Sequence, residues 1–152
     1  VTEGSVQTLL ARSFALLARE QPQAHERILM PLAGLAVALR IDAEHFTAAF
    51  TSTQAHLRAV DGQESITVGT SRRTILAVLD DRRTLTEAVL SNAVEVVGPL
   101  ELLLRAHEGL IRYVHGAVRC AGFPSLLHQL RLTCADDARA QHSRERKADA
   151  RG

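Results

Sequence analysis

Residues 66–104, ITVGTSRRTILAVLDDRRTLTEAVLSNAVEVVGPLELLL, decide how the rest of the chain is read. Ile66 and Val68 share one face across Thr67, the period of a half-buried strand. From Ser71 the period changes. Ile75, Leu76 and Leu79 make a helical stripe that residues 80–83 interrupt. Thr84-Leu85-Thr86-Glu87 has the form of a capping box, in which the Thr84 hydroxyl accepts from the Glu87 amide and the Glu87 carboxylate reaches back. A short helix is predicted there, closing at Ser91-Asn92. Residues 94–97 predict a strand stopped by Gly98, and Pro99 stands where a helix can begin. Leu100, Leu103, Leu104, His107, Leu110, Ile111, Val114 and Val118 then share one face of a long predicted helix.

Working outward, the preceding residues have period two. Leu35, Val37, Leu39 and Ile41 alternate with small or charged neighbours, and Asp42-Ala43-Glu44 is a turn. Phe46, Ala48 and Phe50 form the inward face of the next strand; Leu57 belongs to the one after. Asp61-Gly62 is a strong turn signal before Ile66. This predicts a four-strand meander, each strand with one apolar face. With the strand at 94–97 it makes a five-stranded, mainly antiparallel sheet. If Phe50 pairs with Ala55, His45 and His56 fall on the face opposite Phe46 and Phe50.

Before the meander, Val6, Leu9, Leu10, Phe14 and Leu17 recur at helical spacing, with Ser5 as N-cap. Arg12 interrupts this stretch, no basic region precedes it and no small-residue cleavage site follows. It is expected to be a folded helix and not a signal sequence. Pro22 suits the first turn of a second helix that carries Ile28 and Leu29, ended by Pro31 and Gly34. After the long helix, Gly122 precedes a short amphipathic piece with Phe123, Leu126, Leu127 and Leu130. Beyond Ala135 no large apolar residue occurs. The expected division is one domain, 1–134, and a disordered polar tail, 135–152.

Composition bounds the function. The 152 residues carry 18 Lys and Arg against 17 Asp and Glu, a formal net charge of +1. That gives no global field for nucleic acid or an anionic membrane. Hydrophobic residues are 46% and charged residues 23%, which is globular. Aromatic residues are 3%, too few for base-stacking platforms. No apolar run is long enough to span a bilayer. Cys120 and Cys134 form no framework, which predicts a reducing, cytoplasmic compartment.

The order helix, meander, two short helices, strand, long helix is an α+β layer plan. On the residues quoted first, the chain resembles the C-terminal half of sterol carrier protein-type domains. That family runs from a strand to a Leu-rich helix, a connector, a second helix and a hydrophobic-x-hydrophobic-x-Gly strand before a long helix. Family members often carry glycine in the connector and before the last strand; this chain has Asp81-Arg82 and Asn92 there. The resemblance implies an α+β fold with helices packed on one face of the sheet. It also implies non-enzymatic binding of a lipid, sterol or isoprenoid-like molecule in a cavity between sheet and helices. Phe46, Phe50, Leu57, Ile75, Leu79, Leu104, His107 and Ile111 would line that cavity, with Leu104 and Ile111 roofing the sheet and His107 orienting a polar head group.

Two other functions stay open. The first helix and the Phe123–Leu130 face could bury apolar surface against a second copy or a partner protein. An enzyme acting on an apolar substrate would have only His107 to work with. No nucleophile elbow, phosphate-binding loop or zinc spacing occurs, so neither a metal nor a cofactor is expected. Asp80-Asp81 read as a solvated hinge.

Overall fold

The computed structural model describes residues 4–150, apart from the side chains of 136–138, 140 and 141. Two helices lead, α1 (Val6–Glu20) and α2 (Pro22–Leu32). Strands β1 (Ala36–Ile41), β2 (Glu44–Phe50), β3 (Ala55–Arg58) and β4 (Ile66–Thr70) follow. Then come α3 (Arg72–Leu79), α4 (Leu85–Leu90), β5 (Glu95–Val97), α5 (Leu100–Ala117) and α6 (Phe123–Asp149).

The local signals produce these elements by the expected contacts. The Ser5 hydroxyl caps α1 by accepting from the Thr8 amide at 3.1 Å. Both halves of the Thr84–Glu87 capping box are formed. Phe50 pairs with Ala55 across the β2–β3 turn. Asp81 (φ 57°) and Asn92 (φ 60°), which stand where the resembling family often has glycine, take the left-handed conformation. Asp and Asn tolerate that region better than other side chains.

The five strands form one sheet in the order β3-β2-β1-β4-β5. β1 and β4 are parallel and the other pairs antiparallel. The expected meander is therefore corrected at its last step. β4 does not lie beside β3; the chain crosses two strands and joins the far side of β1. The crossing, residues 59–65, runs over the sheet face opposite the helices. Glu64 pins it: its carboxylate accepts from the Thr47 hydroxyl at 2.6 Å and from the Asp61 amide at 3.0 Å. Arg58 lies 3.5 Å from the same oxygen. Thr47 and its register partner Ala38 are buried on this outer face by the crossing chain.

The main core lies on the other face. Leu17, Ile28, Leu29, Phe46 and Ile66 have almost no exposed surface. α1 packs on β2 and β3, α2 on α1, and α6 on α1 and α3. α6 is also longer than the short amphipathic piece expected. It continues to Asp149 because residues 135–149 are mostly helix formers with no Gly or Pro. Beyond Cys134 every described side chain of this extension is exposed.

Candidate functional site

The expected site is the inner face of the sheet beneath the helices. Register places Val37, Leu39 and Ile41 of β1 beside Ile66 and Val68 of β4 on that face. Val37, Ile41 and Ile66 are buried. Leu39 and Val68, adjacent in register, are only half-buried although both pack against the core. An inner-face side chain on a central strand keeps accessible surface only where the helical layer leaves space above it. Ile75 and Leu79 of α3, which follows β4 directly, are half-buried against the same core, as is Leu57 on β3.

The other end of the interface is closed. Phe14 of α1 packs between Phe50 and Tyr113, its ring tilted to both, with ring centroids 5.9 Å and 5.2 Å away. The Tyr113 hydroxyl donates to Ser13 Oγ at 2.6 Å, and Ser13 donates to the Leu10 carbonyl at 2.6 Å. Burial pushes the Tyr113 phenol up to about 12, so it stays protonated at neutral pH. Phe46 and Phe50 are accordingly core residues beneath this plug, 1% and 9% exposed.

The expected roof is not where the periodicity put it. Leu104, His107 and Ile111 lie on the outer side of α5; Leu104 is 61% and Ile111 41% exposed. The opposite side of α5, with Gly109, Gly116 and Ala117, is the buried one. A Cβ at Gly109 would stand 2.4 Å from Leu32, and one at Gly116 would stand 3.0 Å from Leu17. These glycines let α5 approach α2 closely. Two arginines then hold its rotation. Arg105 donates to the carbonyls of Pro31 (3.0 Å) and Ala33 (2.6 Å), and Arg112 to that of Arg27 (2.8 Å). The carbonyls of Pro31 and Ala33 lie at the end of α2, where no helical amide reaches them, and that of Arg27 is free because Pro31 has no N–H; the guanidinium groups supply the donors. The signal that could have found this packing is the small-residue row Ala106, Gly109, Gly116 and Ala117 on one side of the helix.

Two open clefts lie outside the sheet–helix interface. One, about 440 Å³, sits between α2 and α5 and is lined by Ala24, Arg27, Met30, Arg112, His115 and Arg119. The other, about 340 Å³, lies at the end of β1 and β4 around Arg40, Asp42, Thr70, Ser71 and Glu95. There Asp42 accepts from the Arg72 amide and Nε at 3.1 Å and 3.0 Å, tying the β1–β2 turn to the start of α3.

His45 and His56 are exposed on the outer sheet face, as their register requires. Asp80 is more than a solvated hinge: it pairs with Arg131 of α6 and stands 3.7 Å from Arg82. Cys120 is buried, which pushes its thiol up and away from thiolate chemistry, and it donates to the Gly116 carbonyl. Among the described residues, no group of three or more His, Cys, Asp or Glu is placed to hold a metal ion. Nor is any described helix long and apolar enough to cross a membrane.

No protein-family model matches this chain, and no curated protein matches it. Solved structures do. The chain is similar to a structure titled "UbiJ-SCP2 Ubiquinone synthesis protein", with 19% identity and a TM-score of 0.53, over 70% of this chain and 95% of that one. It is similar to the sterol carrier protein domain 2 of Helicoverpa armigera, with 8% identity and a TM-score of 0.55, over 78% and 94% of the two chains. A structure titled sterol carrier protein 2 matches with 13% identity and a TM-score of 0.52, over 77% of this chain and all of that one. At such identities the likeness is one of backbone architecture. The α+β arrangement of this chain, with its five-stranded mixed sheet, is a divergent sterol carrier protein-type fold.

Proposed function

We propose that this protein binds a hydrophobic small molecule, a lipid, sterol or isoprenoid-like compound, and catalyses no reaction on it. The observation that carries this is the half-buried pair Leu39 and Val68 in the middle of the sheet's inner face. Their surroundings are apolar: Leu57, Ile75 and Leu79 are partly buried against the same core, over a floor that contains Phe46 and Phe50. Apolar space with few polar groups suits a ligand held by burial alone, at roughly 25 cal/mol for each Å² of apolar surface removed from water. The fold is shared with structures titled sterol carrier protein and with a ubiquinone synthesis protein, so lipids and isoprenoids are the first compounds to test. Two free cysteines agree with action in the cytoplasm.

Native mass spectrometry of freshly purified protein, with displacement of a fluorescent fatty-acid or sterol analogue, tests the proposal. The expected result is a retained lipid-sized mass and saturable probe binding. Leu39→Trp should fill the space and abolish probe binding while the thermal midpoint holds. A protein that binds no apolar probe, and that Leu39→Trp unfolds by overpacking, would show a tight core and end this reading.

A further inference from the structure

The outward side of α5 has the pattern of a helix seam. Leu100, Leu104, His107, Ile111, Val114 and Val118 follow one another at spacings of four, three, four, three and four. That alternation is the a and d pattern of a heptad, sustained along a helix of 18 residues, about 27 Å. Most of the seam is uncovered: Val114 is half-buried, but Leu100 is 72%, Leu104 61%, Ile111 41% and Val118 62% exposed. It points away from α2, because the glycines on the opposite side make the α2 contact.

The pattern is symmetric about residue 109. With the direction reversed, residue 100 meets 118, 104 meets 114 and 107 meets 111. Each layer then joins an a position to a d position, as an antiparallel pair requires. Charge is complementary towards the ends of the seam; near its centre Glu108 is already paired with Arg112 of its own helix, at 2.5 Å. Glu101 and Glu108 flank the seam in its first half; Arg112, His115 and Arg119 lie along the same flank in and just beyond its second half. Those three, with Arg27 of α2, line the 440 Å³ cleft beside the seam. Antiparallel pairing brings Glu101 of each copy to the level of His115 and Arg119 of the other. Parallel pairing would set this flank against the other one, Leu103, Leu110 and Ala117, and leave Glu101 without a cation opposite. An anionic membrane would favour cations along the whole flank, which the two glutamates contradict.

We propose that α5 pairs with α5 of a second copy of this chain, antiparallel and across a twofold axis near residue 109. The interface is isologous, the same surface on both copies, which closes at a dimer. His107, the polar member of the seam, sets its register, as a single polar side chain does in heptad interfaces. This pairing is independent of ligand binding beneath the helices.

Sedimentation equilibrium of the full chain across a micromolar concentration series should give a dimer. Leu104→Glu with Ile111→Glu should give a monomer whose circular dichroism is unchanged, since both side chains are exposed in the single chain. Orientation is read by disulfide trapping that does not need those variants. Leu100→Cys and Val118→Cys are made separately in a Cys134→Ser background. Oxidised alone, each should remain largely uncrosslinked; mixed, they should form a covalent heterodimer. A monomeric wild type, a dimer that survives the double glutamate variant, or self-crosslinking of Leu100→Cys would each overturn the proposal. So would a monomer that sediments with anionic vesicles through α5, which would make the seam a membrane contact.

Discussion

α1 and α5 are both amphipathic helices with an apolar stripe, and the protein uses the two stripes in opposite ways. In α1 the stripe goes into the core; Leu17 is fully buried. Its first turn is held by Ser5 and by Glu44, whose carboxylate accepts from the amides of Val6 (2.8 Å) and Gln7 (3.2 Å). In α5 the stripe faces outward, the buried side carries glycine and alanine, and Pro99 at the N-cap offers no side-chain acceptor to the first turn. The difference teaches that an apolar stripe declares a face that gains from burial without naming what buries it. Small residues on the opposite side can win the contact with the domain, because they bring the helix axis closer and let the neighbour's side chains fill the groove.

The sharpest way to break the comparison is a matched pair of truncations. Leu17→Ala should destabilise by about 2–5 kcal/mol, through lost burial and the cavity left behind. Leu104→Ala, in dilute protein, should stay within about 0.5 kcal/mol of wild type. Urea unfolding of both reads the contrast, and equal losses would mean that the α5 stripe is buried after all. Next in size is Gly109→Ala. Helix propensity alone would favour it by about 1 kcal/mol. The collision with Leu32 should reverse that sign and destabilise by about 1–3 kcal/mol; a more stable protein would show that α5 does not approach α2 so closely.

Glu44→Ala should cost about 1 kcal/mol, by removing the acceptor at the start of α1. A substitution at Glu101, for which no hydrogen bond or ion pair is found among the described residues of the single chain, should not in dilute protein, and chemical unfolding can compare the two. The smallest effect concerns the outer sheet face. The Thr47 hydroxyl, then the Asp61 amide, hold the Glu64 carboxyl down at about 2. A carboxyl depressed in the folded state stabilises it above the unfolded value of 4.5, and that contribution is lost as pH falls toward 2. Thermal midpoints should therefore drop across that acidic window in wild type and less steeply in Glu64→Gln. Parallel curves would unpin the crossing from β2.

Much of the fold was legible because its signals are local. The Thr84–Glu87 box, the Ser5 cap and the Phe50–Ala55 register each depend on residues a few positions apart. Asp81 and Asn92 replace glycine with the side chains best able to share its left-handed conformation. Of the candidate site, Phe46, Phe50, Leu57, Ile75 and Leu79 were placed against the core by alternation and helical spacing. Leu39 and Val68 carried no special mark, since alternation is the same for a packed and an open inner face. The strongest stripe in α5 assigns Leu104, His107 and Ile111 to the sheet, whereas in the structure that stripe is the uncovered side. The continuation of α6 was missed because a polar, mixed-charge stretch has no apolar stripe whether it is helical or not.

By itself, then, the sequence determined most of the helices and strands, the caps at Ser5 and Thr84, and the apolar face of β1 to β4. Those properties follow from backbone sterics and from hydrogen bonds between near neighbours. Only the tertiary structure decided that β4 joins β1 and not β3, because the choice rests on Glu64 meeting Thr47 across the sheet. Only it decided the rotation of α5, because that rests on Gly109 meeting Leu32 and on Arg105 finding the last carbonyls of α2. Periodicity carries no information about such pairs: it records the direction of a side chain around its own element, and the neighbour that fills that direction is selected by packing.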